Sequence, residues 1–264
     1  MSKIISKLSM LLLVLVVTAV SAQAAKISAY YTAPFSTAKT VKSKLGKAGF
    51  KVLATYSPAA KGNLKVIVFT NKALKTLASK KKRGFAAIQR VMVDSSAKTV
   101  RVTNPTYWLK AFMQKDYKAG IDTKVKSSLT KALGKLTATK DVLKEGNLAG
   151  YHFMMAMPYY EDMLELKKGA TVDPNKKLFE VKLSNGSKLV GVKMSKNSEN
   201  FIDKIGVENA ILLPYTVLIE NGKVYALHAK YYLALSYPLL SMGQFITISS
   251  IPDTIEKKLK KALK

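Results

Sequence analysis

The sequence contains no cysteine. That absence excludes disulfide staples, thiolate metal sites, haem attached through Cys-x-x-Cys-His and cysteine nucleophiles, so stability has to come from packed apolar cores. Imidazole chemistry is confined to two positions, His152 and His228. Recognisable catalytic frames are missing as well: there is no Gly-x-Ser-x-Gly elbow, no glycine-rich phosphate loop, no His-Glu-x-x-His and no framed carboxylate pair. The one enzymatic alternative left is a hydrolase-type centre on His228, which needs a nucleophile and an acid beside it. Past the first two dozen residues no apolar run reaches 18 residues, since 210–219 is stopped by Glu220, and a mature chain without a transmembrane segment is expected.

The first two dozen residues read differently. Lys3 and Lys7 form a positive leader, 10–17 is an unbroken apolar run, and Ser21-Ala22-Gln23-Ala24 supplies the small-x-small pattern of a signal-peptidase site. Residues 1–24 are therefore expected to be a cleavable secretory signal peptide, with cleavage after Ala24. The apolar run is shorter than the ~20 residues an anchor needs. A periplasmic or otherwise extracytoplasmic location follows from that reading.

Acidic residues are scarce: 16 stand against 44 lysines and arginines. Without Lys3 and Lys7 the net charge falls from +28 to +26. Residues 25–149 hold 26 basic and 5 acidic side chains, whereas 150–264 hold 16 and 11. A field concentrated in the first half attracts an anionic small molecule, an acidic envelope protein or an anionic lipid surface, and the attraction weakens with salt. The plainer reading is solubility, because charge alone names no ligand. Nucleic acid fits the charge but not the exported location.

Periodicity divides the remainder into two similar halves, 25–145 and 150–264. In the first, 27–32 reads as a strand, and Ser36 precedes apolar positions Ala38, Val41, Leu45 and Ala48 on one helical face that ends at Gly49. Strands follow at 51–56 and 64–70, a short helix at 72–79, and a hairpin at 87–94 and 99–103. Pro105 opens a helix carrying Tyr107, Trp108, Ala111 and Phe112, and 122–133 closes the half with Asp122 as its cap. The second half reads as strand 151–157, helix 161–168, strands 177–183 and 188–194, and helix 198–205. Strands 211–220 and 223–228, a tyrosine-rich helix near 231–235 and a last helix at 253–263 complete it. Asp122-Thr123 with 129–133 is echoed by Asp253-Thr254 with 259–263, and Val91-Met92-Val93-Asp94 by Val217-Leu218-Ile219-Glu220. The expected fold is α+β: two tandem β-α-β(4)-α units, each an antiparallel sheet with helices on one face.

Ala48-Gly49-Phe50-Lys51-Val52, a strand closing on Phe69-Thr70-Asn71, and a hairpin leading to Asn104-Pro105-Thr106-Tyr107 occur in that order. Over roughly 27–112 this resembles the bacterial family known as domain of unknown function 302. The second half keeps the tyrosine in Ala229-Lys230-Tyr231-Tyr232 but lacks Asn-Pro. The resemblance implies a compact α/β sandwich of TATA-binding-protein-like topology and brings no established activity.

Four groups of residues carry candidate chemistry. Tyr107, Trp108 and Lys110 in one half, with Tyr231 and Tyr232 in the other, suit a cleft for an apolar or anionic small molecule; the plainer reading is that they anchor helices on sheets. Lys80-Lys81-Lys82-Arg83 is the densest cationic run and the first place for an anion to dock. His152 with Met154, in the run 151–160, offers imidazole and thioether to copper(I) or haem iron, although methionine is also a common core filler. On a strand His152 and Met154 would face opposite to Met155 and Met157. His228 is the fourth. The residues name no cofactor, and non-enzymatic binding of a small or anionic ligand or of an envelope partner is the expected function.

Overall fold

β-branched and aromatic residues set the first half. The computed structural model describes residues 25–264, so the signal-peptide reading lies outside the described residues. The half comprises β1 (Lys26–Ser28), β2 (Tyr30–Ala33), α1 (Ala38–Lys47), β3 (Lys51–Tyr56), β4 (Leu64–Thr70), α2 (Lys72–Ala78), β5 (Gln89–Asp94), β6 (Thr99–Thr103), α3 (Pro105–Met113) and α4 (Ile121–Leu133). β7 (Thr137–Ala138) and β8 (Val142–Lys144) end it. β2 to β7 form a six-stranded antiparallel sheet in the order β3-β4-β5-β6-β2-β7, while β1 pairs with β8 separately. α1 buries Val41 and Leu45, and its cap is Thr37, whose side chain accepts the Thr40 N–H. Asn104 caps α3, taking the Thr106 N–H at 3.1 Å while its own amide donates to the Ser28 carbonyl at 2.7 Å. Pro105 then fills the first helical position, where no N–H is needed.

Asp122 does not cap α4, since Gly120 holds that position. Its carboxylate instead accepts from the Thr106 and Tyr117 hydroxyls at 2.7 and 2.9 Å and from the Gly120 N–H at 2.9 Å, tying α3 to α4.

The second half comprises β9 (Leu164–Lys168), β10 (Lys177–Lys182), β11 (Lys188–Val192), α5 (Ile202–Ile205), β12 (Thr216–Glu220), β13 (Lys223–Ala226), α6 (Ala229–Ser236), α7 (Met242–Thr247) and α8 (Ile251–Lys261). Its five strands form an antiparallel sheet in the order β10-β11-β12-β13-β9. Two expectations fail here. Residues 151–157 make no strand: Gly150 and Ala156 take positive φ, and Pro158 lacks an N–H to donate. Residues 164–168 are a strand rather than part of a helix, because Glu165 lies opposite Tyr225 in the β13 ladder and receives Lys223 Nζ at 2.7 Å. No helix joins β9 to β10; only a short turn, Pro174–Lys176, lies between them. The strand expected at 211–220 is shortened to β12, because Val207–Leu212 is a 3-10 turn.

The two halves share one apolar core. All six residues of β5 are buried, so both faces of that strand are covered. The 3-10 turn at Gly84–Ala87 packs on β11 and β12, and the turn at Val207–Leu212 packs on β5 and β6. Gly84 permits that approach: a Cβ there would stand 2.3 Å from Leu218 Cδ1. The result is a mixed α+β protein with antiparallel sheets, in which no helix among the described residues is long and apolar enough to cross a membrane.

Candidate anion-binding cleft

The expected aromatic cleft is a packed seam. Tyr107, Trp108, Tyr231 and Tyr232 are all at most 5 % exposed. Trp108 and Tyr232 meet edge to face with centroids 6.2 Å apart, and the Trp108 indole N–H donates to the Ala29 carbonyl at 3.0 Å. Tyr232 donates to the Leu212 carbonyl at 2.7 Å. Burial raises the pKa of all three tyrosines, so they stay neutral donors. Lys110 is outside this cluster, 2.8 Å from Glu145 and over the Tyr117 ring. Aromatic residues that each satisfy a hydroxyl or indole inside a core hold helices together and leave no entry for a ligand.

The cationic run, in contrast, lines open space. Lys81, Lys82 and Arg83 border a cleft of about 760 Å³ together with Gln114, Lys115, Asp116, Ala149, Gly150 and Glu161. Residues from both halves and from the connection between them thus meet at one place. Lys82 sits at positive φ, and the turn it makes is held from the second half: its N–H donates to both Glu220 carboxylate oxygens at 3.1 Å, and its carbonyl accepts from the Tyr160 hydroxyl at 2.6 Å. The same turn aims Arg83 inward. Its guanidinium lies over the Tyr160 ring, donates from Nε to Asp116 at 3.0 Å and stands 2.8 Å from Glu161. Burial works against the Asp116 charge, but Lys80 and Arg83 outweigh it and hold this carboxyl below its ordinary pKa.

Electrostatically, the two acids of the cleft are already engaged by Arg83, and Asp116 by Lys80 at 3.2 Å as well. Lys81 and Lys115 are exposed and, among the described residues, take part in no ion pair. Lys82 extends its ammonium over the Tyr225 ring. Four basic residues against two carboxylates among the lining residues give a net positive pocket. Gln114, at positive φ, accepts the Gly150 N–H at 2.9 Å and so pins the connecting segment to the cleft wall.

His152 lines a neighbouring cleft of about 600 Å³ that shares Ala149 and Gly150 with the first. Its Nδ1 bonds the Met154 carbonyl at 2.8 Å and its ring stacks on Tyr159, so backbone rather than sulfur meets the imidazole. Met154 and Met155 are exposed, on a loop rather than on the strand faces expected for them. Among the described residues no three His, Asp or Glu side chains gather as a metal site. His228 caps α6, accepting the Lys230 N–H at 3.2 Å, and burial together with Lys230 lowers its pKa.

Sequence reasoning found the cationic run but missed Asp116, Lys115, Gly150 and Glu161. One signal was available: only three of the 44 basic residues are arginines, and such rare choices mark positions where planar pairing matters. No protein-family model, curated protein or solved structure matches the chain.

Proposed function

We propose that this is an exported envelope protein that binds an anionic small molecule, without catalysis, in the cleft lined by Lys81, Lys82 and Lys115. The supporting observation is the convergence of the cationic run with Lys115 around one cavity whose two acids are already taken by Arg83. Cavities of this size suit ligands of metabolite dimensions. The location rests on the leader pattern of residues 1–24.

The reading includes descent from two tandem β-α-β(4)-α units of TATA-binding-protein-like topology, related to domain of unknown function 302. Numbering the strands within each half from β2 and from β9, both sheets contain the order second-third-fourth-fifth-first, to which β7 adds one more edge strand in the first half. The second unit has lost the helix between its first two strands. Asn63 donates to Asp94 and Asn185 to Glu220, at equivalent places before the third strand and at the end of the fourth.

Isothermal titration with pyrophosphate, citrate and sulfate at fixed ionic strength tests the function. Saturable binding at one site, weakened at least tenfold in K81E/K115E and retained in K39E/K42E, supports it. The control pair on α1 changes net charge equally, so equal losses in both variants would reduce the effect to overall charge.

A further inference from the structure

Past residue 25, the two longest stretches without aspartate, glutamate, lysine or arginine are 146–160 and 231–252, in a chain where such residues fill 23 % of positions. The fold brings these stretches together. The Tyr151 hydroxyl donates to the Ala234 carbonyl at 3.3 Å, Phe153 packs on Phe245 with ring centroids 5.5 Å apart, and Tyr151, Phe153 and Pro238 line one cleft. Of the eight large apolar side chains exposed among the described residues, six belong to these stretches: Met154, Met155, Tyr159, Leu239, Met242 and Ile246. Met154 follows Phe153 and Ile246 follows Phe245, so exposed side chains flank the ring contact. A water-facing surface scatters such residues singly, and their concentration marks a contact face.

Charge decides what covers this face. The cleft of Lys81, Lys82 and Lys115 adjoins it, sharing Ala149 and Gly150 with the cleft of Tyr151, Phe153 and Pro238. Lys204 Nζ reaches the Thr247 carbonyl at the end of α7, at 3.1 Å. Of the neighbouring carboxylates, Glu161 is held by Arg83 and Asp162 accepts the Tyr159 N–H at 2.9 Å, while Glu208 borders the face where it lines a cleft with Leu239. A second copy carries the same positive excess and is repelled, whereas an anionic bilayer is attracted. Shape points the same way. Met155 is 88 % exposed and Ile246 64 %, and side chains that protrude so far need a matching hollow on a protein but none among fluid acyl chains.

We propose that the uncharged face docks on an anionic lipid surface. Met154, Met155, Leu239, Met242 and Ile246 enter the boundary between headgroups and acyl chains, and the lysines of the adjoining cleft meet lipid phosphates. The docking rests on the anion-binding reading of that cleft for its electrostatic part alone; the apolar part stands by itself.

The test is flotation of the chain from Ala25 onward, which holds every described element, with vesicles of equimolar phosphatidylglycerol and phosphatidylcholine or of phosphatidylcholine alone. Capture by the mixed vesicles is expected, with little by phosphatidylcholine. Partition should weaken on the order of tenfold in M155S/I246S and in L239S/M242S, since each pair removes two apolar side chains from the lipid contact. All four side chains are exposed, so the variants keep the fold. Each should also keep the parent's response to pyrophosphate, and a parent that floats without binding pyrophosphate would lose the cleft reading and retain this one. No capture by the mixed vesicles, or equal capture of parent and both variants, would overturn the docking. So would sedimentation showing a dimer that these substitutions dissociate, which would assign the face to a second copy.

Discussion

Tyr107 and Tyr231 stand in a reciprocal relationship across the seam. The Tyr107 hydroxyl donates to the Leu235 carbonyl at 2.6 Å, and the Tyr231 hydroxyl donates to the Ala111 carbonyl at 3.3 Å. Each acceptor lies four residues beyond the other tyrosine, on the same helix as that tyrosine, and Trp108 meets Tyr232 between them. The two bonds tie α3 to α6 from both sides. Y107F and Y231F are each expected to cost about 1 kcal/mol, the net value of a buried hydrogen bond. Because the halves share a core, urea unfolding followed by Trp108 fluorescence and by circular dichroism should give one coincident transition. Separate transitions would mean independent halves.

A second link across the seam titrates. Glu199 is 1 % exposed and accepts from the Tyr56 hydroxyl and, at 2.7 Å, from the Ala59 N–H. Burial raises its pKa, and the two hydrogen bonds only partly oppose that rise. An acid whose pKa is raised on folding binds more protons in the native state, so its contribution to stability falls as pH climbs from the ordinary glutamate value to the folded one. As pH climbs above the ordinary glutamate value, about 4.3, the native protein should therefore lose stability relative to E199Q. Paired denaturant melts above that value measure the difference; parallel curves would show an unshifted carboxyl.

Asp122 has the opposite sign. Burial works against its charge, but hydrogen bonds from Thr106, Tyr117 and Gly120 outweigh it and lower the pKa. Its stabilisation is complete above the ordinary aspartate value, about 3.9, and is lost as pH falls through the lower folded value. D122A leaves those donors unpaired and is expected to cost roughly 1–3 kcal/mol at pH 7, the penalty of a buried unsatisfied group. Chemical denaturation of the variant at pH 7 and near pH 3 checks both statements, since the deficit should narrow in acid.

Gly84 of the first half packs directly against Leu218 and Leu183 of the second. A G84V side chain would have to displace Leu218 from a packed interior, and overpacking of this kind costs roughly 1–3 kcal/mol. A lowered urea midpoint is the expected result. An unchanged midpoint would show that the seam yields at this point.

What could be read from the sequence was local. Residues 51–56, 64–70 and 99–103 are β-branched and aromatic runs bounded by turn residues, and they form β3, β4 and β6 where expected. Leu164 to Lys168 misleads because Leu, Glu and Lys are good helix formers; pairing with β13 overrides that weak preference. Residues 151–157 look strand-like through apolar content alone, yet Phe153 turns onto Phe245 and Met155 stays exposed, with no neighbouring strand to pair. The cationic half of the cleft was legible as Lys80-Lys81-Lys82-Arg83. Its acidic half was not, because Asp116, 33 residues along the same half, and Glu161, in the other half, reach Arg83 only in the tertiary fold.

The most direct test of the central claim is an amide NMR titration of the protein with pyrophosphate at physiological salt. Shifts confined to residues 81–83, 114–116 and 149–150, complete at one equivalent per bound site, are the predicted result. Changes spread over the lysine surface, or centred on the basic groove of Lys44, Lys47 and Lys131, would contradict it.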